Sequence, residues 1–160
     1  MSDKPSPYKD SLINAMTYLG NKDNTIFIGQ QIVYAGNPMS TTLINVPKDK
    51  MIEVPVMEET QMGMSLGIAM TGKTVITFYP RWDFLISATK YELMTGKKAN
   101  ILIRLGKGAD TPLDPGHQHK GNYINEFKSL CPNITFYNLI DHNSIIDSYV
   151  NAYEQGGVHV

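Results

Sequence analysis

From Tyr8 onward the apolar residues Leu12, Ala15, Met16 and Leu19 recur every three or four positions, which stacks them on one helix face, and Gly20 suits a helix stop. Thr25 to Gly29 is a short β-rich run closed by a glycine, and the loop behind it carries Gln30, Gln31 and Gly36-Asn37-Pro38. Met51 to Val56 reads as a second strand. Glu58 to Met70 then returns to helical spacing until Gly72, and Lys73 to Tyr79 is a third strand rich in β-branched and aromatic residues. A helical stretch from about Trp82 to Met94 leads to a strand at Asn100 to Arg104. The run from Gly106 to Gly121, crowded with Gly, Pro, Asp and His, is too long for a plain connector and is a candidate for function. Tyr123 to Leu130 (helix), Ile134 to Tyr137 (strand), Asn143 to Tyr153 (helix) and a strand starting at Val158 complete the pattern. Strands alternate with helices throughout, which predicts an α/β fold of three layers, α/β/α, around a mostly parallel sheet. In such a fold ligands sit beyond the carboxyl ends of the strands. No repeat, low-complexity tract or linker divides residues 1–160, so a single domain is expected.

Composition narrows the function without naming it. With 42% apolar and 18% charged residues the chain reads as an ordinary globule, and no apolar run approaches the roughly 20 residues needed to cross a bilayer. The segment Met1 to Pro7 is polar and lacks the apolar stretch of a secretory signal, so a cytoplasmic protein is expected. Lys and Arg number 14 against 15 Asp and Glu, with no long basic cluster, which leaves no electrostatic footprint for nucleic acid. The single cysteine, Cys131, has no partner for a disulfide or a CxxC site and reads as packing.

Candidate chemistry concentrates between Val54 and Gly72, where a strand end is followed by Glu58, Glu59 and a helix with Gly63 and Gly67 four residues apart on one face. Each glycine costs a helix about 1 kcal/mol against alanine, and that cost makes sense where another backbone must approach closely. Glu58 and Glu59 alone need no catalytic role, since acids in the first turn complement the helix dipole. His117 and His119, with Asp114 nearby, read either as a solvated loop or as metal ligands, and Trp82 either as a helix-entry anchor or as a stacking surface.

The whole pattern says more than its parts. Glu58, four residues, Gly63-Met64, two residues, Gly67-Ile68 resembles the signature of the pyrimidine-binding domain of thiamine-diphosphate enzymes. From Tyr8 to about Val158 the chain is similar to the beta subunit of the 2-oxo acid (pyruvate) dehydrogenase first component, and more distantly to the middle domain of transketolase. The supports are the opening Tyr8-Lys-Asp-Ser-Leu helix, Ile28-Gly29-Gln30-Gln31, the glutamate-glycine signature, Asp83-Phe84-Leu85 and Gly116-His-Gln-His119. The resemblance implies that Glu58 hydrogen-bonds the aminopyrimidine ring nitrogen of thiamine diphosphate and promotes formation of the ylid, with Glu59 the structural acid of the pair. It implies that Gln30, Tyr79, Arg81 and Trp82 line the cofactor site and that His119 faces the substrate as a proton-transfer group. Gly63 and Gly67 would form the contact face with a partner.

The departures matter equally. Arg81 stands where the family often has a stacking phenylalanine, and Gln30 and Gln31 stand where it usually has acids. The stretch from Trp82 to Gly96 looks about two turns shorter than the family's, with an abrupt passage at Ala88-Thr89-Lys90. No Gly-Asp-Gly motif for magnesium and the diphosphate occurs in residues 1–160, and the chain is expected to lack the family's carboxy-terminal domain. The resemblance therefore implies an alpha-type partner subunit supplying the magnesium and diphosphate site, in a heterotetramer acting on a 2-oxo acid. The alternatives are a split transketolase-like subunit acting on a ketose, and a non-catalytic binding domain of the same fold.

Overall fold

The computed structural model describes residues 6–85, 99–108 and 114–160. Five parallel strands form one sheet in the order β2-β1-β3-β4-β5: β1 (Thr25–Gly29), β2 (Met51–Glu53), β3 (Thr74–Tyr79), β4 (Asn100–Leu105) and β5 (Val158–His159). All six residues of β3 are buried, as expected of a central strand covered on both faces. The period of two divides the core: Phe27, Ile76, Phe78 and Leu102 face one helical layer, while Ile28, Val75, Tyr79, Ile101 and Ile103 face the other.

The first layer holds α1 (Pro7–Gly20) and α5 (Ile145–Gln155), and the second holds α2 (Glu58–Met70), α3 (Trp82–Leu85) and α4 (Ile124–Leu130). Ser6 caps α1 by accepting from the Lys9 backbone N–H, and Pro7 follows in the first turn, where a missing N–H costs nothing. Lys50 Nζ donates to the orphan carbonyl of Gly20 at 2.9 Å and so closes the other end. In α2, Gln61 is fully buried and ties the helix to the central strand through Nε2 bonds to Thr77 Oγ1 and the Phe78 carbonyl, both 2.9 Å.

Three local expectations are corrected. The strand expected over Ile134 to Tyr137 is shorter than that: it pairs in parallel with β5 at one bridge, Thr135 to His159, through backbone bonds from Thr135 to Val158, from Val160 to Thr135 and from Tyr137 to Val160. β2 ends at Glu53, two residues before Pro55, which has no N–H for a ladder. The last helix begins at Ile145 instead of Asn143, because Asp141 accepts from the Asn143 N–H and holds His142–Ser144 in a tighter 3₁₀ turn. Beyond Leu85 the helix expected to Met94 lies outside the described residues.

Candidate active site

The loop after β1 and the start of α2 meet at the carboxyl edge of the sheet. Gly29 ends β1 under Phe78, where an added Cβ would lie 2.8 Å from the Phe78 Cβ, so only glycine fits. Gln31 adopts a left-handed conformation, φ 57°, unusual for a residue with a side chain. This turn points successive backbone N–H groups inward, and the Glu53 carboxylate at the end of β2 accepts from Gln31, from Ile32 (2.9 Å) and from Val33 (3.0 Å). Glu53 therefore fixes the loop. Sequence reasoning missed it, since an acid at a strand end carries no signal of its own.

Between those two anchors lies Gln30, only 8% exposed, whose Nε2 donates to Glu58 Oε1 at 3.1 Å. Glu58 is half-buried at the first position of α2, and among the described residues its other carboxylate oxygen has no protein partner. Tyr79 is completely buried at the end of β3, and its hydroxyl reaches the Glu58 backbone carbonyl at 3.4 Å, so it supports the helix start from below. Gln30, Glu58 and Tyr79, expected together from the sequence, are thus in contact.

The remaining expected residues sit elsewhere. Trp82 is buried with its ring 5.2 Å from that of Phe127, inside the second layer, and Arg81 folds back so that Nη1 donates to the Pro80 carbonyl at 2.8 Å. His119 closes a 3₁₀ turn, His117–His119, with its ring edge-on to Phe84 at 5.7 Å, which brings the long loop against α3. Asp83 in the same helix accepts from the Tyr123 hydroxyl at 3.2 Å, and this bond raises the Tyr123 pKa. Asp114 is tied to the Gly116 N–H and to Lys120, which together lower its pKa. Among the described residues no group of three or more His, Cys, Asp or Glu could hold a metal ion.

Gly63 is half-buried and Gly67 exposed; a Cβ built on Gly67 meets nothing within 4 Å. The face they mark carries Met64 and Met70, 39% and 55% exposed, and leads to Val56 and Met57, 74% and 49% exposed, just before Glu58.

A second feature was not foreseen. Beside the carboxyl end of β4 a cleft of 710 Å³ is lined by Lys9, Arg104 and Lys107, with no Asp or Glu among its described lining residues. Arg104, 9% exposed, lies against the Phe78 ring and donates to Thr42 Oγ1 at 2.7 Å, and no carboxylate pairs with it among the described residues. A buried guanidinium without a counter-ion is costly, so this cleft is suited to an anion. β1 and β4 flank β3, so the Gln30 end of β1 and the carboxyl end of β4 beside the cleft lie at the same edge of the sheet, with the two strands roughly 10 Å apart at about 4.8 Å per strand.

No family model matches the chain and no curated protein matches it in sequence. Among solved structures it superposes on a chain described as a split gene transketolase, inactive beta4 tetramer, with a TM-score of 0.73 at 15% identity, over 95% of this chain and 49% of the other. The chain thus spans about half the length of that neighbour. No helix among the described residues is long and apolar enough to cross a membrane. With its five parallel strands between two helical layers, the chain has an α/β fold similar to that of the split transketolase.

Proposed function

We propose that this chain is the pyrimidine-side subunit of a split thiamine-diphosphate enzyme, working with a partner that holds the diphosphate and its magnesium ion. The observation that carries the reading is Glu58, a half-buried carboxylate at the carboxyl edge of a parallel sheet with one oxygen held by Gln30 and the other without a partner among the described residues. That arrangement fits the cofactor's aminopyrimidine: the open oxygen would meet the ring nitrogen, and the rigid loop behind Gln30 keeps the carboxylate in place. When bound, the cofactor supplies a nucleophilic carbon and an electron sink for breaking a carbon–carbon bond next to a carbonyl. The protein's part is to share a proton at the ring nitrogen through Glu58, to orient the ring, and to hold His119 ready as a proton-transfer group from the loop packed on Phe84. The apolar face of Val56, Met57, Met64 and Met70 around Gly63 and Gly67 is the surface a partner would cover.

The cation-lined cleft favours a phosphorylated ketose over a small 2-oxo acid, because Lys9, Arg104 and Lys107 offer more positive charge, in 710 Å³, than one carboxylate requires. The 2-oxo acid reading rests on the resemblance of Asp83-Phe84-Leu85 and Gly116-His-Gln-His119 to the dehydrogenase beta subunit. Isolating the native complex without overproduction, identifying its chains by mass and measuring bound thiamine diphosphate tests the cofactor reading. A partner with a Gly-Asp-Gly motif and stoichiometric cofactor supports it, and a complex devoid of thiamine sinks it. Turnover of ketose phosphates against 2-oxo acids by the same complex then separates the two chemistries.

A further inference from the structure

We infer that Gln30 is the positioning residue for Glu58, and that its amide fixes one carboxylate oxygen so that the other is presented toward the sheet's open edge. This rests on the cofactor reading above. An ionised carboxylate only accepts, so the atom of Gln30 facing Glu58 Oε1 at 3.1 Å must be the amide nitrogen. Gln30 is only 8% exposed as a residue, and a buried primary amide without a partner is costly, so the contact determines where Gln30 points.

The backbone on either side removes the remaining freedom. Gly29 is pressed under Phe78 where no Cβ fits, and Gln31 is held at positive φ by the Glu53 carboxylate. Gln30 is therefore set in advance of any ligand, as a donor must be if it is to orient a carboxylate without reorganising. The other charged group at this end of α2 is Glu59, which follows Glu58 in the first turn; Tyr79 on β3 touches the Glu58 backbone, and β1 carries no charge. An acid at position 30 would place a like charge on Glu58 and donate nothing. Glutamine retains the shape and supplies the proton.

Two measurements test the assignment. In the full chain alone, the Gln30 side-chain amide hydrogens are expected to exchange with solvent at least about tenfold more slowly than exposed amides, and to lose that protection in Glu58→Ala. In the complex with its partner, Gln30→Glu, which has the same shape, and Gln30→Met, which is uncharged, are both expected to bind thiamine diphosphate within about threefold of the parent. Both are expected to slow hydrogen exchange at the thiazolium carbon by about tenfold or more. An unprotected Gln30 amide, or exchange within twofold of the parent in whichever variant folds, overturns the positioning role. A complex that binds no thiamine diphosphate while the amide stays protected overturns the cofactor reading and leaves the contact standing.

Discussion

Glu58 shows how neighbours can set a side chain apart, because an acid in the first turn of a helix is ordinarily explained by the dipole alone. Here its carboxylate is gripped by Gln30, and its backbone carbonyl rests on the hydroxyl of a buried tyrosine. Replacing Glu58 by Gln keeps the size and removes the carboxylate. On the proposed cofactor reading, hydrogen exchange at the thiazolium carbon in the complex with the partner should then fall by about 100-fold or more. Thermal unfolding of the chain should stay close to that of the parent, which distinguishes lost chemistry from lost fold. Arg104 separates stability from binding in a different way. Because its guanidinium is buried with one neutral partner among the described residues, Arg104→Met should leave the stability of the isolated chain unchanged or raise it by about 1 kcal/mol or more. On the proposed ketose reading, the same change should weaken capture of a phosphorylated ketose by about tenfold or more, since a charge-assisted contact would be lost. Calorimetry measures both, and a large destabilisation without any loss of sugar phosphate binding would assign Arg104 a purely structural task. Glu58, Gln30 and Tyr79 could be named through the resemblance of their motifs to a known family. Glu53 and Arg104 could not, since their roles depend on a left-handed turn and on a cleft made by segments distant in sequence.

At the scale of elements, hydrophobic period was a sufficient guide wherever an element is long and covered. The α1 stripe, the α2 span and the buried runs of β1, β3 and β4 lie where the alternation and the 3.6-residue repeat place them. The segment Ile134 to Tyr137 has the composition of a strand but forms one bridge, because pairing depends on the edge that the rest of the sheet presents. That difference is tertiary and has no local signal. The glycines of α2 are the opposite case, a local oddity that the surroundings of Gly67 do not explain. A Cβ at Gly67 would meet only open space, so Gly67→Ala should stabilise the isolated chain by about 0.5–1 kcal/mol through helix propensity. If the glycine face lies against a partner, Gly67→Leu should fold equally well yet fail to co-purify with it. Unfolding midpoints measure the first effect and size-exclusion of the co-expressed chains the second. A Gly67→Leu complex of normal size would show that the face is free in the assembly.

For the molecule as a whole, two helical layers on a parallel sheet follow from the alternation of elements, whereas the placing of charge between layers does not. The first layer encloses Tyr149 on α5 next to Arg104, and burial raises the Tyr149 pKa, with the neighbouring guanidinium opposing the shift. A phenol whose folded pKa lies above its unfolded value of about 10 is neutral in both states at neutral pH, so its contribution is fully present there. As pH climbs past the unfolded value, the unfolded chain ionises first and is favoured, and the contribution is lost as pH rises toward the folded pKa. Lysines titrate in the same range, so alkaline unfolding of the parent alone cannot be assigned to one residue. The comparison that isolates it is Tyr149→Phe, which keeps the ring in the layer and deletes the ionisation. Between pH 8 and pH 11 the parent should lose more stability than the variant, the two curves diverging only above about pH 10. Parallel curves across that range would mean that the Tyr149 hydroxyl ionises as readily in the folded chain as in the unfolded one. In that case the cleft beside Arg104 would have to admit enough water to solvate a phenolate, and a wet cleft would weaken the case that an anion completes the buried charge.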